Sequence, residues 1–257
     1  MFCLKKTDIP GAIWRNDMNT IEFETQEKLF QWAAKNFFKQ ANEALKHKNY
    51  FDVALSGGST ALKFFPYLLQ GEHAVLKKTR WFFSDERVVG LQSEHSNAGQ
   101  AWKFLIKNID IDSTKQFFPM FSSASSASKA AADYQLCIEE HLFSKIEKIP
   151  VFDLIYLGMG NDGHTASLFP KSTLLDDIYE NPALIAATKE PDIEHERITM
   201  MPRLILAAQE ICVLTTGKSK LNLINEIKKS DYQPQRWPIQ LILKEKHKNI
   251  FVLTSLE

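Results

Sequence analysis

Residues 151–170 read VFDLIYLGMGNDGHTASLFP, and in them the apolar run 151–157 leads directly into GMGNDGH. The run has the length and composition of a buried strand. Glycines after such a strand allow the backbone to approach a ligand closely or to adopt positive φ. Open α/β sheets bind ligands in loops at the carboxyl ends of their strands. The stretch therefore predicts an α/β fold with a functional loop that carries Asp162 and His164.

The same unit of a strand followed by a polar loop recurs along the chain. Short apolar strands are predicted at 52–55, 80–84 and 210–216, followed by SGGST at 56–60, DER at 85–87 and GKSK at 217–220. A last strand is predicted at 249–254. Apolar residues three and four apart predict helices at about 24–48, at 61–69, from Asn97, at 129–146 and after 220. Pro66 is expected to kink the second of these helices or to end it early.

Strands that alternate with helices indicate how the whole chain folds. They predict a mostly parallel twisted sheet with helices on both faces, a Rossmann-like α/β architecture. The carboxyl ends of parallel strands meet at one edge of the sheet. We therefore expect the four polar segments, 56–60, 85–87, 158–164 and 217–220, to form one site.

Length and charge limit the classes of protein to consider. The 257 residues fit one globular domain over 1–257. Lys plus Arg and Asp plus Glu are both 31, so the formal net charge is zero, which argues against a nucleic-acid partner. The N-terminus becomes charged after four residues, and no apolar run approaches the ~20 residues of a membrane span. The sequence predicts no membrane association and a cytoplasmic location.

Cysteine usage is typical of a reducing compartment. Cys3, Cys137 and Cys212 are far apart, and the chain has no C-x-x-C, H-x-x-H or H-E-x-x-H motif. This pattern predicts neither a disulfide framework nor a metal site. The serine-rich segment 122–128 is interpreted as a surface loop and the charged run 244–248 as a solvated turn.

Two nucleotide motifs are matched only in part. Gly158, Gly160 and Gly163 fit G-x-G-x-x-G, but Pro170 follows too soon for the helix that would carry a pyrophosphate. GKS at 217–219 resembles the end of a phosphate-binding P-loop, but Cys212 stands where that motif requires its first glycine. Neither a dinucleotide cofactor nor a nucleoside triphosphate is expected.

The remaining motifs each allow two interpretations. SGGST at 56–60 is either an anion cradle at a helix N-terminus or a plain capped turn. His164 is either a catalytic group or a hydrogen-bonded structural histidine. DER at 85–87 is either part of a site or a surface charge cluster, and its position after a buried strand favours a site. Ser56 and Ser59 lack the G-x-S-x-G elbow of a serine hydrolase.

Taken together, the motifs resemble the 6-phosphogluconolactonase family, in that family's order and over most of the chain. The matching segments are LSGGST at 55–60, SDERVV at 84–89, SN at 96–97, GMGNDGHTASLFP at 158–170, RIT at 197–199 with Pro202, and GKSK at 217–220. The resemblance implies hydrolysis of 6-phospho-D-glucono-1,5-lactone to 6-phosphogluconate, the second step of the oxidative pentose phosphate pathway. It also implies a fold similar to that of glucosamine-6-phosphate deaminase and no required cofactor.

The resemblance further implies roles for particular residues. His164 matches the family's general base, and Asp162 would orient its imidazole. Arg87 would either hold the phosphate or polarise the substrate. The other matched positions are expected to bind the substrate, mainly its phosphate, and they are Gly57, Gly58, Ser59, Asp85, Asn97, Arg197 and Lys220. Ala61 and Leu221 stand where the family often has proline and alanine, and we expect altered helix packing there.

Two other functions are considered beside lactone hydrolysis. A glucosamine-6-phosphate deaminase or sugar-phosphate isomerase of the same fold carries a glutamate shortly after the histidine, whereas 165–170 contain no acid. A non-enzymatic sugar-phosphate sensor needs a DNA-binding or partner module, for which the first ~25 residues are too few. The expected partner is a small phosphorylated sugar lactone, bound by a monomer or small homo-oligomer.

Overall fold

The computed structural model describes residues 12–15, 19–121, 126–244 and 249–256. The N-terminal segment with Cys3, most of the serine-rich segment and most of the charged run lie outside the described residues. Twelve strands are described, and in chain order they are β1 Ala12–Arg15, β2 Thr20–Phe23, β3 Phe51–Leu55, β4 Thr79–Phe83, β5 Asp85–Arg87, β6 Lys145–Ile146, β7 Ile149–Pro150, β8 Leu154–Gly158, β9 Ile185–Thr188, β10 Arg197–Met200, β11 Ile211–Thr216 and β12 Ile250–Ser255.

Nine α-helices are described between these strands. They are α1 Gln26–Ala44, α2 Gly58–Leu69, α3 His73–Leu76, α4 Asn97–Phe104, α5 Ser113–Gln116, α6 Ala127–His141, α7 Pro202–Leu206, α8 Lys218–Lys229 and α9 Gln240–Leu243. Short 3-10 helices lie at Ile106–Asn108 and Thr173–Leu175. Thr25 caps the long helix α1 by accepting a hydrogen bond from the Lys28 amide, as its position before the apolar pattern favours.

A seven-stranded sheet forms the centre of the fold, in the order β1-β2-β12-β11-β8-β3-β4. The six strands from β2 to β4 run parallel, and β1 pairs antiparallel with β2 at one edge. Every residue of β3 and β4 is buried. Continuous burial of this kind is typical of parallel strands covered on both faces. The predicted fold class, a mostly parallel α/β sheet flanked by helices, is confirmed.

The strand order creates a crevice between β3 and β8. After β3 the chain passes outward through α2 to β4, whereas after β8 it continues to β11 on the other side. The two connections leave neighbouring strands in opposite directions, and such a reversal is where doubly wound sheets bind ligands. The segments 56–60 and 158–164 begin at this point.

Most predicted elements agree with the structure to within a few residues, among them the helix predicted at 61–69, whereas the end predicted for α6 at 146 is wrong. Helix α2 does not end early at Pro66 but runs on to Leu69. Helix α6 ends at His141 rather than at 146, because β6 and β7 pair as an antiparallel hairpin there. Glu147 and Lys148 form its two-residue turn with φ of 49° and 72°, and such primed turns match the twist of paired strands.

A second sheet was not predicted. Strands β5, β10 and β9 pair antiparallel in that order. The segment 85–87, predicted as a loop after a strand, is therefore a short strand of its own. Within the described ranges, no helix is long and apolar enough to cross a membrane.

Candidate active site

The loop after β8 holds the imidazole of His164 against a carboxylate. His164 Nδ1 lies 2.7 Å from Asp162 Oδ1, and the same oxygen accepts a hydrogen bond from the His164 amide at 3.1 Å. The ring also packs on Phe169, with ring centroids 4.8 Å apart. A carboxylate can only accept hydrogen bonds, so Nδ1 carries the hydrogen and Nε2 of a neutral ring is the accepting nitrogen.

Two glycines make this compact loop possible. A Cβ added to Gly160 would lie 2.2 Å from His164 Nδ1 and 2.5 Å from Asp162 Oδ1, so any side chain would displace the pair. Gly163 adopts φ of +80°, and a Cβ there would lie 2.8 Å from Trp237. The glycines predicted to bring the backbone close to a ligand therefore also give the His164–Asp162 pair its room.

Electrostatics keep Asp162 ionised. Burial raises the pKa of this carboxyl, but the hydrogen bond and charge of His164 outweigh burial, so the pKa lies below its ordinary value. An ionised Asp162 is the form that stabilises a positively charged imidazole. The pair is thus arranged to accept a proton at Nε2.

Two helix N-termini at this edge of the sheet have glycine caps. Gly57 precedes α2 and Gly217 precedes α8, and neither helix receives a hydrogen bond from a capping side chain. Gly58 and Gly217 adopt φ of 84° and 99°, a region that disfavours other residues. First-turn amides left without a capping side chain, together with the helix dipole, favour a bound anion.

The second sheet brings two arginines together. Arg197 of β10 lies directly opposite Arg87 of β5 in the antiparallel register. Burial and the charge of Arg87 lower the pKa of Arg197, while Asp85 and Glu86 oppose that shift. Arg87 Nε and Arg197 Nη1 are buried without a hydrogen-bond partner among the described residues. Two adjacent cations with unused donors favour a doubly charged anion such as phosphate.

Asp85 is held by side chains of the loop after β8 and of α4. Its carboxylate accepts hydrogen bonds from Ser167 Oγ at 2.8 Å and from Asn97 Nδ2 at 3.4 Å. Asn97 Nδ2 also donates to the Asp85 carbonyl at 2.9 Å. The Ser167 amide donates to Thr199 Oγ1 at 3.1 Å, and this hydrogen bond joins the loop after β8 to strand β10.

A cavity of about 230 Å³ brings most of the predicted residues together. Its lining includes Gly57, Gly58, Ser59, Asp85, Arg87, Asn97, His164 and Lys220. Asp162 and Arg197 are not among the described lining residues, but Asp162 contacts His164 and Arg197 pairs with Arg87 in the sheet. Burial lowers the pKa of Lys220, and the charge of Asp162 opposes this.

Three further features were not assigned a role from the sequence. Glu86 is fully buried, Ser167 bonds Asp85, and Ala166 lines the cavity with a φ of 47°. Positive φ in a non-glycine residue is a form of strain that clusters at functional sites. The roles of Ser167 and Ala166 follow only from tertiary contacts and backbone geometry, whereas Glu86 lies within the DER segment for which the sequence favours a site. Among the described residues, no group of three or more His, Cys, Asp or Glu side chains could hold a metal ion.

The chain belongs to the family of glucosamine-6-phosphate isomerases and 6-phosphogluconolactonases. The family model described as glucosamine-6-phosphate isomerases/6-phosphogluconolactonase matches residues 24–252. A 6-phosphogluconolactonase of Haemophilus influenzae is 33% identical over 226 residues, which cover 86% of this chain and 90% of that protein. One of Chlamydia pneumoniae is 29% identical over 245 residues, covering 93% and 89%. The crystal structure of a 6-phosphogluconolactonase from Shewanella baltica is similar with a TM-score of 0.81 at 27% identity, covering 93% of this chain and 98% of that one.

Proposed function

We propose that this protein hydrolyses 6-phospho-D-glucono-1,5-lactone to 6-phospho-D-gluconate. Relatives of about 30% identity over most of the chain carry the name of that enzyme, which supports the substrate class. The single observation that carries the proposal is the His164–Asp162 pair, with His164 lining a cavity that also contains glycine-capped helix ends and cations. That combination suits a phosphorylated substrate attacked by water.

The histidine provides the proton transfer. Since Nδ1 donates to Asp162, Nε2 accepts the proton of a water as that water attacks the lactone carbonyl. The imidazolium that forms then returns the proton to the ring oxygen as the ester bond breaks. Asp162 stabilises the charged ring without taking its proton. A positioned general base of this kind contributes typically ~10²–10⁴-fold to the rate.

The phosphate provides the anchor. The N-terminus of α2 with Gly58 and Ser59, and Lys220 in the first turn of α8, all face the same cavity. Arg87 lines it as well, with Arg197 opposite in the sheet. We assign the phosphate to these cations and amides, because helix N-termini and arginine forks are the protein groups best suited to it. Asp85 and Asn97 lie beside this set and would contact sugar hydroxyls.

The same reasoning extends to the setting of the enzyme. We propose a single domain over 1–257, acting as a monomer or small homo-oligomer in the cytoplasm. There it would catalyse the second step of the oxidative pentose phosphate pathway. Free thiols at Cys137 and Cys212 support a reducing compartment.

A lactonase assay on His164→Ala tests the proposal. With freshly generated lactone, and after correction for spontaneous hydrolysis, we expect kcat to decrease ~10²–10⁴-fold. Binding of 6-phosphogluconate, measured by calorimetry, should persist. His73→Ala, at an exposed histidine of α3, is the matched control and should behave as the wild type.

Three outcomes would contradict the proposal: no lactone turnover by the wild type, wild-type turnover by His164→Ala, or equal turnover of unphosphorylated glucono-1,5-lactone. Ammonia release from glucosamine 6-phosphate would instead indicate a deaminase. We expect none, because 165–170 contain no acid to serve ring opening.

A further inference from the structure

We propose that Glu86 is a positioning residue that sets the affinity of the site for its phosphorylated ligand by holding Arg87 and Asn97 in place. This inference rests on the proposed function for its substrate. It concerns a side chain that does not line the cavity, and it explains why a fully buried carboxylate stands between two site residues, Asp85 and Arg87.

The strand alternation directs Glu86 away from the ligand. Successive side chains of a strand point to opposite faces, so Asp85 and Arg87 share one face of β5 and Glu86 lies on the other. In the register of the sheet, Glu86 is opposite the fully buried Ile198. Its carboxylate therefore projects to the N-terminus of α4 rather than into the cavity.

Four hydrogen bonds satisfy this carboxylate. One oxygen accepts from the Arg87 amide at 2.8 Å and the Asn97 amide at 2.7 Å. The other accepts from the Ala98 amide at 2.8 Å and Ser96 Oγ at 3.0 Å. Burial raises the pKa of Glu86, and the three backbone donors oppose that shift. The carboxylate thus caps α4 internally and ties its first turn to β5.

Asn97 links the position of the first turn of α4 to the cavity, which its side chain lines. From the first position of α4, its Nδ2 donates to the Asp85 carbonyl at 2.9 Å. Its Oδ1 lies so close to Gly57 that a Cβ there would be 1.8 Å away. If the first turn of α4 shifts, the Asn97 side chain shifts with it, and both of its contacts, to the Gly57 turn and to Asp85, change together. Helices α2, α4 and α8 each place a first-turn residue in the described lining of the cavity, and because Glu86 caps α4, the N-termini of α2 and α8 are left for the ligand.

The test is a comparison of Glu86→Gln with Asn97→Ala and the double variant. Glutamine keeps the shape but places an NH₂ group against at least one backbone N–H whichever way its amide turns. We expect KM for the lactone and Kd for 6-phosphogluconate to rise about 10- to 100-fold, by analogy with buried residues that orient the ligands of a metal site. We expect kcat to change less than about threefold, because the four hydrogen bonds of Glu86 go to β5 and the start of α4 rather than to the His164–Asp162 pair.

Two further measurements separate positioning from general destabilisation. The matched control is Glu210→Gln, a buried glutamate just before β11 at the opposite edge of the sheet, which should leave KM and Kd unchanged. If Glu86 acts through Asn97, the double variant should weaken binding no more than the weaker-binding single variant. Hydrogen exchange of the first turn of α4 should be faster in Glu86→Gln.

The outcomes distinguish this inference from the proposed function. Unchanged KM and Kd in Glu86→Gln, or strictly additive effects with Asn97→Ala, would overturn the positioning role. A wild type that binds 6-phosphogluconate but does not hydrolyse the lactone would overturn the proposed function alone, since the Kd comparison would still decide the role of Glu86. If the wild type bound neither compound, unchanged exchange at α4 in Glu86→Gln would count against the positioning role.

Discussion

Replacing Asp162 with asparagine isolates the charge in the His164–Asp162 pair. Asparagine can still present an oxygen to His164 Nδ1 at the observed 2.7 Å, so the ring orientation is kept while the negative charge is lost. The imidazole becomes positive only as water attacks, and the carboxylate therefore acts mainly on the transition state. Asp162→Asn should lower kcat and leave KM within about threefold of the wild-type value.

The magnitude follows from the exposure of the pair. A hydrogen bond to a charged group contributes ~1.5–3 kcal/mol when it is protected from water. The side chains of His164 and Asp162 are 33% and 52% exposed, so solvent screening places this pair in the lower part of that range, about 1.5–2 kcal/mol. Since ~1.4 kcal/mol corresponds to tenfold in rate, kcat should decrease about 10- to 30-fold.

Initial rates of lactone hydrolysis by four proteins provide the assay: wild type, Asp162→Asn, His164→Ala and the double variant. If the carboxylate works only through the imidazole, the double variant should be no slower than His164→Ala. Asp110→Asn is the control, because Asp110 pairs with Lys77 at a similar 2.8 Å on an exposed surface. Wild-type kcat in Asp162→Asn, or a further loss in the double variant, would refute the proposed coupling.

Two more predictions concern a glycine of the cavity and a buried acid far from it. Gly57→Ala should raise KM by about tenfold or more in the lactonase assay, because its Cβ would lie 1.8 Å from Asn97 Oδ1 and one of the two must move. Unchanged KM would refute it. Burial raises the pKa of Glu210 to about 7 against the opposing hydrogen bonds of Asn36 and Cys212. The protonated form is thus favoured on folding, so the free energy of unfolding is highest below the ordinary pKa of 4.5 and falls by at most ~3 kcal/mol as pH rises through 7. Urea titrations at pH 5 and pH 8 should show this decrease in the wild type and lose it in Glu210→Gln, and an equal decrease in both proteins would contradict it.

The architecture could be predicted from local patterns. The run 151–157 and its counterparts read as buried strands because parallel strands covered on both faces are apolar throughout. SGGST, GMGNDGH and GKSK mark the ends of β3, β8 and β11, since glycine-rich turns interrupt the apolar pattern there. Because the carboxyl ends of parallel strands share one edge of the sheet, the sequence predicts that His164, Lys220 and the Gly57 turn lie together.

The antiparallel sheet could not be predicted in the same way. Strand β5 has three residues and the other two strands of its sheet have four each, which is too short for an alternating pattern to stand out. Their pairing also joins segments far apart in the chain, so no local signal places Arg197 opposite Arg87. For the same reason the DER segment was interpreted as a loop.

The sequence by itself determined the fold class, the edge of the sheet that carries the site, and most of the residues that line its cavity. It did so because each depends on local composition: apolar strands, glycine turns and the polar side chains beside them. Only the tertiary structure decided how these residues act on one another. The pairing of the two arginines and the internal capping of α4 by Glu86 both depend on distances between separate elements. Such distances follow from packing and register, which no local pattern encodes.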